Sequence, residues 1–357
     1  YVPSSNRFSV LKYYTPDPRE GGNLRFTQSD FGSGTQPAMP QGLPLFKPPY
    51  SRITAINLNA GEHACAPVGN CAPPMTRRCV HSTTRCVASW KVHSKGEYEN
   101  TIIVVSGDHG PPGFPQGKCN LYDFGTRVCL AIAGPGVKGG RVVHDFVGLP
   151  DLAPTFLQAG KGGVPKGMSF RSLWKVLKSK KEGWVDPSRD AVYTGRERHV
   201  YTSRPGYLPY PQRAIRTKDF QFVLTFRPAR WPLGDPYLLD SPKEPKFGLL
   251  EQQTFVTLAD EDAGPTKAWI VTNRKDPKVK PFFDNAYGKR PREELYDMKK
   301  DPDQMKNLAS DPAYAETVKK LRTRLMNYLR ETNDPRLGEN GKFFETPPMA
   351  GPIPGRR

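Results

Sequence analysis

Ser106-Gly107-Asp108-His109-Gly110 closes the apolar run Thr101–Val105. Asp108 offers a hard carboxylate and His109 an imidazole. Gly110 lets the chain turn away tightly from whatever ligand the two side chains hold. A capped strand end with no ligand would use the same residues, so the segment needs company before it counts as a site. Lys118, nine residues on from His109, is a candidate for holding an anion; an ordinary solvated loop lysine is the plainer reading. Arg196, Arg198 and His199 follow a strand-like segment. Beside a cleft they would bind an acidic sugar, and elsewhere they are solvated charges. Arg127 could merely pair with Asp123, and Tyr122 and Phe124 read as packing.

The elements that must position these residues are legible in outline. Thr101–Val105 is short and β-branched, and it reads as a buried parallel strand with chemistry at its carboxyl end. Arg127–Ala133 reads as a second buried strand, stopped by Gly134-Pro135-Gly136. Phe146, Leu149, Leu152, Ala153, Phe156 and Leu157 recur at helical spacing, so a helix is expected over Phe146–Ala159 with Gly160 as its stop. Strand, loop, strand, helix is the cadence of an α/β domain.

Past a basic linker at Lys178–Glu182 the pattern changes. Ala191–Thr194 is strand-like, and Arg213–Thr217 and Phe220–Phe226 make a hairpin turning at Lys218-Asp219. Glu293–Asp297 is a further strand. Asp311 caps a helix with Pro312 in its first turn, and Tyr314, Val318, Leu321, Leu325 and Tyr328 form its apolar stripe. The expected organisation is an irregular segment over 1–95, an α/β domain over 96–185, a smaller α+β domain over 186–335 and a flexible tail over 336–357.

The 357 residues include 38 prolines and 33 glycines and are 36% hydrophobic, enough for a core in a loop-rich chain. A net charge of +18 attracts polyanions, among them nucleic acids, acidic membranes and sulfated or carboxylated polysaccharides. No DNA- or RNA-binding motif is present, and the basic residues are scattered apart from clusters such as Lys175–Lys181. No apolar stretch approaches the ~20 residues that span a bilayer. Neither nucleic acid nor a membrane is therefore the expected partner. The six cysteines, Cys65, Cys71, Cys79, Cys86, Cys119 and Cys129, contain no Cys-x-x-Cys pair, which argues against zinc. Their disulfide pairing cannot be deduced.

Several motifs in one order carry a resemblance. Val105–Gly110, Lys118–Arg127, Asp151–Thr155, Thr194–His199, Arg213–Thr217 and Glu294–Pro302 together resemble the later half of the sulfatases, in particular bacterial enzymes similar to heparan N-sulfatase. The likeness covers roughly residues 96–335. It implies an alkaline-phosphatase-like α/β fold with a smaller C-terminal α+β domain, one calcium ion, and a formylglycine nucleophile made from Cys or Ser in Cys/Ser-x-Pro-x-Arg. It further implies that Asp108 and His109 are metal ligands, that Lys118 contacts the sulfate, and that the protein is periplasmic or secreted. The implied reaction removes an O-sulfate or N-sulfate from a sulfated sugar or polysaccharide. A metal and a lysine would stabilise the charge on the transferring group.

The same resemblance exposes what is missing. No Cys/Ser-x-Pro-x-Arg occurs before residue 100, and Tyr1-Val-Pro-Ser-Ser5 has Tyr and Ser where the nucleophile and Arg belong. The adjacent Asp-Asp that completes the calcium site is also absent. Family-like text resumes abruptly at Gly96, as if a reading frame had been lost ahead of about Ser94. The expectation is a truncated sulfatase, inactive as written. Two alternatives stand beside it. One is a non-catalytic module for anionic glycans. The other is a phosphate-ester hydrolase of the same superfamily, disfavoured because only His144 and His199 remain as further histidine ligands downstream.

Overall fold

A computed structural model of the chain describes residues 98–346 and, before them, the backbone of four short strands. These are β1 (Lys12–Tyr14), β2 (Gln28–Asp30), β3 (Arg52–Asn57) and β4 (His63–Pro67). β1 and β2 pair antiparallel. The frameshift expectation and the zinc reading of the early cysteines otherwise lie outside the described residues, as do residues 347–357.

Thr101–Ser106 forms β5 and Leu130–Ala133 forms β6, in a sheet of order β4-β3-β5-β6. Every pairing in that sheet is antiparallel. This corrects the expectation of a parallel strand. A continuous apolar run reads the same in either sheet type, and here its burial fades from Ile103, fully buried, to the exposed Ser106. β6 starts later than expected because Arg127 and Val128 close the short α1 (Asp123–Thr126) with backbone bonds to Asp123 and Thr126.

The helix expected from Phe146 begins only at Leu152. α2 spans Leu152–Ala159 behind a 3-10 turn at Leu149–Asp151, and it stops at Gly160. Pro150 has no N–H for a longer helix, which keeps the preceding chain extended. That extended chain runs beside residues 183–189, with His144 N donating to Gly183 O (2.7 Å) and Phe146 N to Arg189 O (3.0 Å). α3 (Trp174–Lys178) follows.

The second sheet holds β7 (Ala191–Arg196), β8 (Gln212–Thr217), β9 (Phe220–Thr225) and β10 (Glu293–Asp297), antiparallel in the order β10-β9-β8-β7. The expected hairpin turns at Lys218-Asp219. Side chains alternate between faces along each strand, so the register assigns two sets. Ile215, Phe222 and Leu295 lie across from one another on one face, and Ala214, Val223 and Glu294 on the other. The segment between β9 and β10 carries α4 (Phe247–Gln252), α5 (Pro265–Thr272) and α6 (Lys280–Tyr287) around their own apolar cluster of Leu233, Leu250, Leu258 and Val271.

The first face is covered by α7 (Ala315–Glu331), whose Val318, Leu321, Leu325 and Leu329 join Ile215, Phe222 and Leu295 in the main core. Leu329 thus belongs to the stripe beside the expected positions. Asp311 accepts from Ala313 N at 2.9 Å, and Pro312 opens a 3-10 turn ahead of the helix. The second face is covered by the loop after β5. Leu121 packs on Ala214 and Val223, the Tyr122 hydroxyl donates to Glu294 (2.9 Å), and Asp123 pairs with Arg216 (2.9 Å). Asp123 therefore serves Arg216 across the loop, and its side chain is not the partner of Arg127.

Residues 336–345, expected in a flexible tail, are instead packed against the segment that follows β7. Arg336 is buried and pairs with Glu197 and Glu345, and α8 (Lys342–Glu345) holds the latter in place.

Candidate functional site

Two groups of candidate residues share the loop between β5 and β6. At its start, Gly107 N donates to Cys129 O (3.1 Å), continuing the strand pairing past Ser106. Asp108 Oδ1 accepts from His109 N (3.1 Å), and His109 Nδ1 lies 2.7 Å from Gly110 O. His109 Nε2 stands 3.4 Å from Asp108 Oδ2. Gly110 is obligatory here, since a Cβ would run into the Phe124 carbonyl and the Gly125 backbone. Asp108 and His109 lie just past the end of β5, their side chains partly exposed to solvent.

Calcium takes six to eight oxygens. Asp108 and His109 supply one carboxylate and an imidazole, and among the described residues no group of three or more His, Cys, Asp or Glu side chains could hold a metal. The described residues do not by themselves fit the calcium ion that the resemblance implies.

Further along the loop, Lys118 Nζ lies 2.9 Å from Asp262 Oδ2, with both side chains about a quarter to a third exposed. Next to it Cys119 holds a left-handed backbone (φ 71°) and donates its thiol to Asp260 O at 3.2 Å. Burial pushes that thiol up to about 12, so it is an inert packing group. Asp260 is the hub of the region. Its Oδ1 accepts from Val200 N (2.8 Å) and Ser203 Oγ (2.9 Å), and its Oδ2 from Arg196 (3.0 Å) and Arg204 (2.6 Å). Burial opposes its charge, but the Arg196 and Arg204 guanidiniums outweigh this and hold the carboxyl below its usual range. Both guanidiniums also face the Tyr210 ring, at 5.1 and 5.3 Å.

His199 Nδ1 lies 3.0 Å from Asp260 O, so it carries the proton and leaves Nε2 with a lone pair. Burial lowers its pKa, with the Lys118 and Arg196 charges acting in the same direction and Asp260 and Asp262 against it. The structure thus brings Lys118 and His199 to one carboxylate-rich turn, 258–262. Arg196 is also there, yet it ends β7 and is buried, its charge engaged by Asp260 and Pro232 O; the loop position expected for it does not hold. Arg198 points elsewhere. Its Nε donates to Tyr207 O (2.8 Å), among the charges of Glu197, Glu345, Arg336 and Arg230. Asp260, Asp262, Ser203 and Arg204 were not singled out from sequence. For the two carboxylates the signal is the acidic run Asp260-Glu261-Asp262 in a strongly basic chain; Ser203 and Arg204 carry none.

The sulfatase family model matches residues 91–162. The chain is 28% identical over 258 residues to the N-sulphoglucosamine sulphohydrolase of Homo sapiens, an alignment covering 69% of this chain and 44% of that protein. It is 26% identical over 250 residues to an ulvan-active sulfatase of Formosa agariphila, covering 68% of this chain and 35% of the relative. Among solved structures, one in complex with its substrate D-glucosamine-2-N,6-O-disulfate superimposes with a TM-score of 0.46 at 21% identity, over 73% of this chain and 41% of that one. The chain spans less than half the length of these relatives. Residues 91–162 carry sulfatase sequence, and the chain resembles the sulfatases, an N-sulphoglucosamine sulphohydrolase among them, over its carboxyl-terminal portion.

Proposed function

We propose that this chain belongs to the machinery of a sulfatase-type hydrolase of sulfated glycans, exported from the cytoplasm, and that as written it binds the sulfated sugar without turning it over. The observation that carries the reading is the convergence of Lys118 and His199 on the 258–262 turn, from segments far apart in sequence. The Lys118 ammonium has three donors and commits one to Asp262. The others would meet sulfate oxygens, with charge-assisted hydrogen bonds as the source of affinity. Neutral His199 presents the Nε2 lone pair, so its partner would be a sugar hydroxyl or a sulfamate N–H rather than the sulfate itself. Asp108 and His109 would serve the metal side of a complete site. No turnover step is assigned to this chain, because it holds no Cys/Ser-x-Pro-x-Arg nucleophile motif. No helix among the described residues is long and apolar enough to cross a membrane.

Titration calorimetry with D-glucosamine-2-N,6-O-disulfate tests this. The expected result is binding that weakens about tenfold or more in Lys118→Ala, the scale of one charge-assisted hydrogen bond. Sulfate release should be undetectable. Binding indifferent to Lys118→Ala and His199→Ala would sink the assignment of the site, and sulfate release would sink the claim of inactivity.

A further inference from the structure

The basic cluster Lys175–Lys181 finds no use in the site described above. Residues 138–182 hold nine lysines and arginines against three acids. Two of those acids point inward. Asp145 is buried and accepts from Val185 N and Asp186 N, and Asp151 is buried against Arg189. Glu182 is left as the one exposed carboxylate of the stretch.

Arg141 joins the two segments that carry the charge. Its guanidinium donates to Lys138 O (3.1 Å), Val176 O (2.6 Å), Leu177 O (3.0 Å) and Lys181 O (2.8 Å). The turn at 138–141 is thereby fastened to the end of α3, and Lys178 Cε reaches within 4.0 Å of where a Gly136 side chain would begin. Lys138, Lys175, Lys178, Lys180 and Lys181 are all exposed, and none is paired with a carboxylate. Aromatic faces lie among them. Lys178 Nζ stands 4.9 Å over the Trp174 ring, and Trp184 is 41% exposed with Lys218 Nζ at 5.8 Å.

We propose that this face, made by the 138–141 turn and Trp174–Trp184, is a docking surface for a linear sulfated polysaccharide, separate from the Lys118–His199 site. The choice of a sulfated ligand rests on the function proposed above. Unpaired like charges held together on a fastened surface are stabilised by a polyanion, and Trp184, whose ring also meets Phe146 and His144, adds partly exposed apolar surface beside them. Five of the six cations are lysines, compact point charges free to meet sulfate oxygens, and the one arginine turns its fork inward onto carbonyls.

Heparin is the probe, with the full chain titrated across a salt series. Neutralising Lys175, Lys178, Lys180 and Lys181 together to Ala should flatten the slope of log K against log salt by about three to four, roughly one per contact. Circular dichroism confirms that the variant folds, since these side chains make no structural bonds beyond the Lys178–Trp174 contact. Binding of D-glucosamine-2-N,6-O-disulfate should be unchanged in this variant. Lys118→Ala should do the reverse, weakening the monosaccharide about tenfold or more and keeping heparin. An unaltered heparin slope in the quadruple variant overturns the docking surface whatever the monosaccharide does. A chain that never binds the monosaccharide but loses heparin in the variant keeps the surface and removes the site reading. Duplex DNA competing as well as heparin at equal charge overturns the ligand class.

Discussion

The two ends of the β5–β6 loop that carry candidate residues are built differently. Asp108 and His109 bond within the turn they occupy, with their side chains 38% and 20% exposed. Lys118 and His199 are fixed from far along the chain, around an Asp260 side chain with no exposure at all. One end is shaped by a sharp turn and the other by buried charge. The second end is therefore preorganised before any ligand arrives, whereas the first is too small a donor set among the described residues to hold a metal.

Removing the hub should have the largest effect. Asp260→Ala strands two buried guanidiniums and is expected to cost about 3–5 kcal/mol, read by urea denaturation. Asp108→Ala, by contrast, should stay within about 0.5 kcal/mol, as exposed substitutions do. Equal losses in the two variants would erase the difference between the ends. Gly110→Ala comes next. Forcing a methyl into the Phe124 carbonyl is expected to cost about 1–3 kcal/mol, and sugar binding should weaken as the loop shifts. Unchanged affinity would detach the loop from the site.

Asp262→Asn sharpens the comparison. The Lys118–Asp262 pair is partly exposed, so stability should change by about 0–1 kcal/mol. Freeing the ammonium should tighten binding of the disulfated sugar, and calorimetry showing weaker binding would make Asp262 a ligand-contacting group instead. The smallest effect concerns pH. Because folding depresses the His199 pKa below its ordinary value of 6.5, the unfolded chain takes up the proton first. This contribution to stability is complete above 6.5 and is lost as pH falls from there through the folded pKa. Melting temperatures between pH 7 and pH 5 should thus fall more steeply in wild type than in His199→Asn. Parallel curves would mean that burial does not hold the imidazole neutral.

The sequence and the structure agree most closely where pattern and chemistry coincide. The Lys218-Asp219 hairpin, the Glu293–Asp297 strand and the Asp311-capped helix were legible because alternation, turn residues and an apolar stripe each specify a single element. The direction of β5 was not, since Thr101–Val105 is apolar on both sides and says nothing of its neighbour's orientation. Pro150 was available as a sign that the helix starts late. The site divides the same way. Asp108-His109-Gly110 announces itself as a turn, while Arg196 and Arg198 look alike in sequence and end on different partners. Only the long-range pairing with Asp260 separates them, and no local pattern encodes that.

The fastening of the β5–β6 loop also has a consequence in time. Lys118–Asp262, Tyr122–Glu294 and Asp123–Arg216 close chain segments of 144, 172 and 93 residues. Such closures cost entropy that only the finished sheet can repay. During synthesis Lys118 leaves the ribosome long before Asp262 and Glu294 exist, so the strand that leads into Asp108 can form while the Lys118–His199 end waits. A nascent chain would acquire that end among the last of its features, and slow refolding phases should report on the loop rather than on the helix α7 that buttresses the sheet.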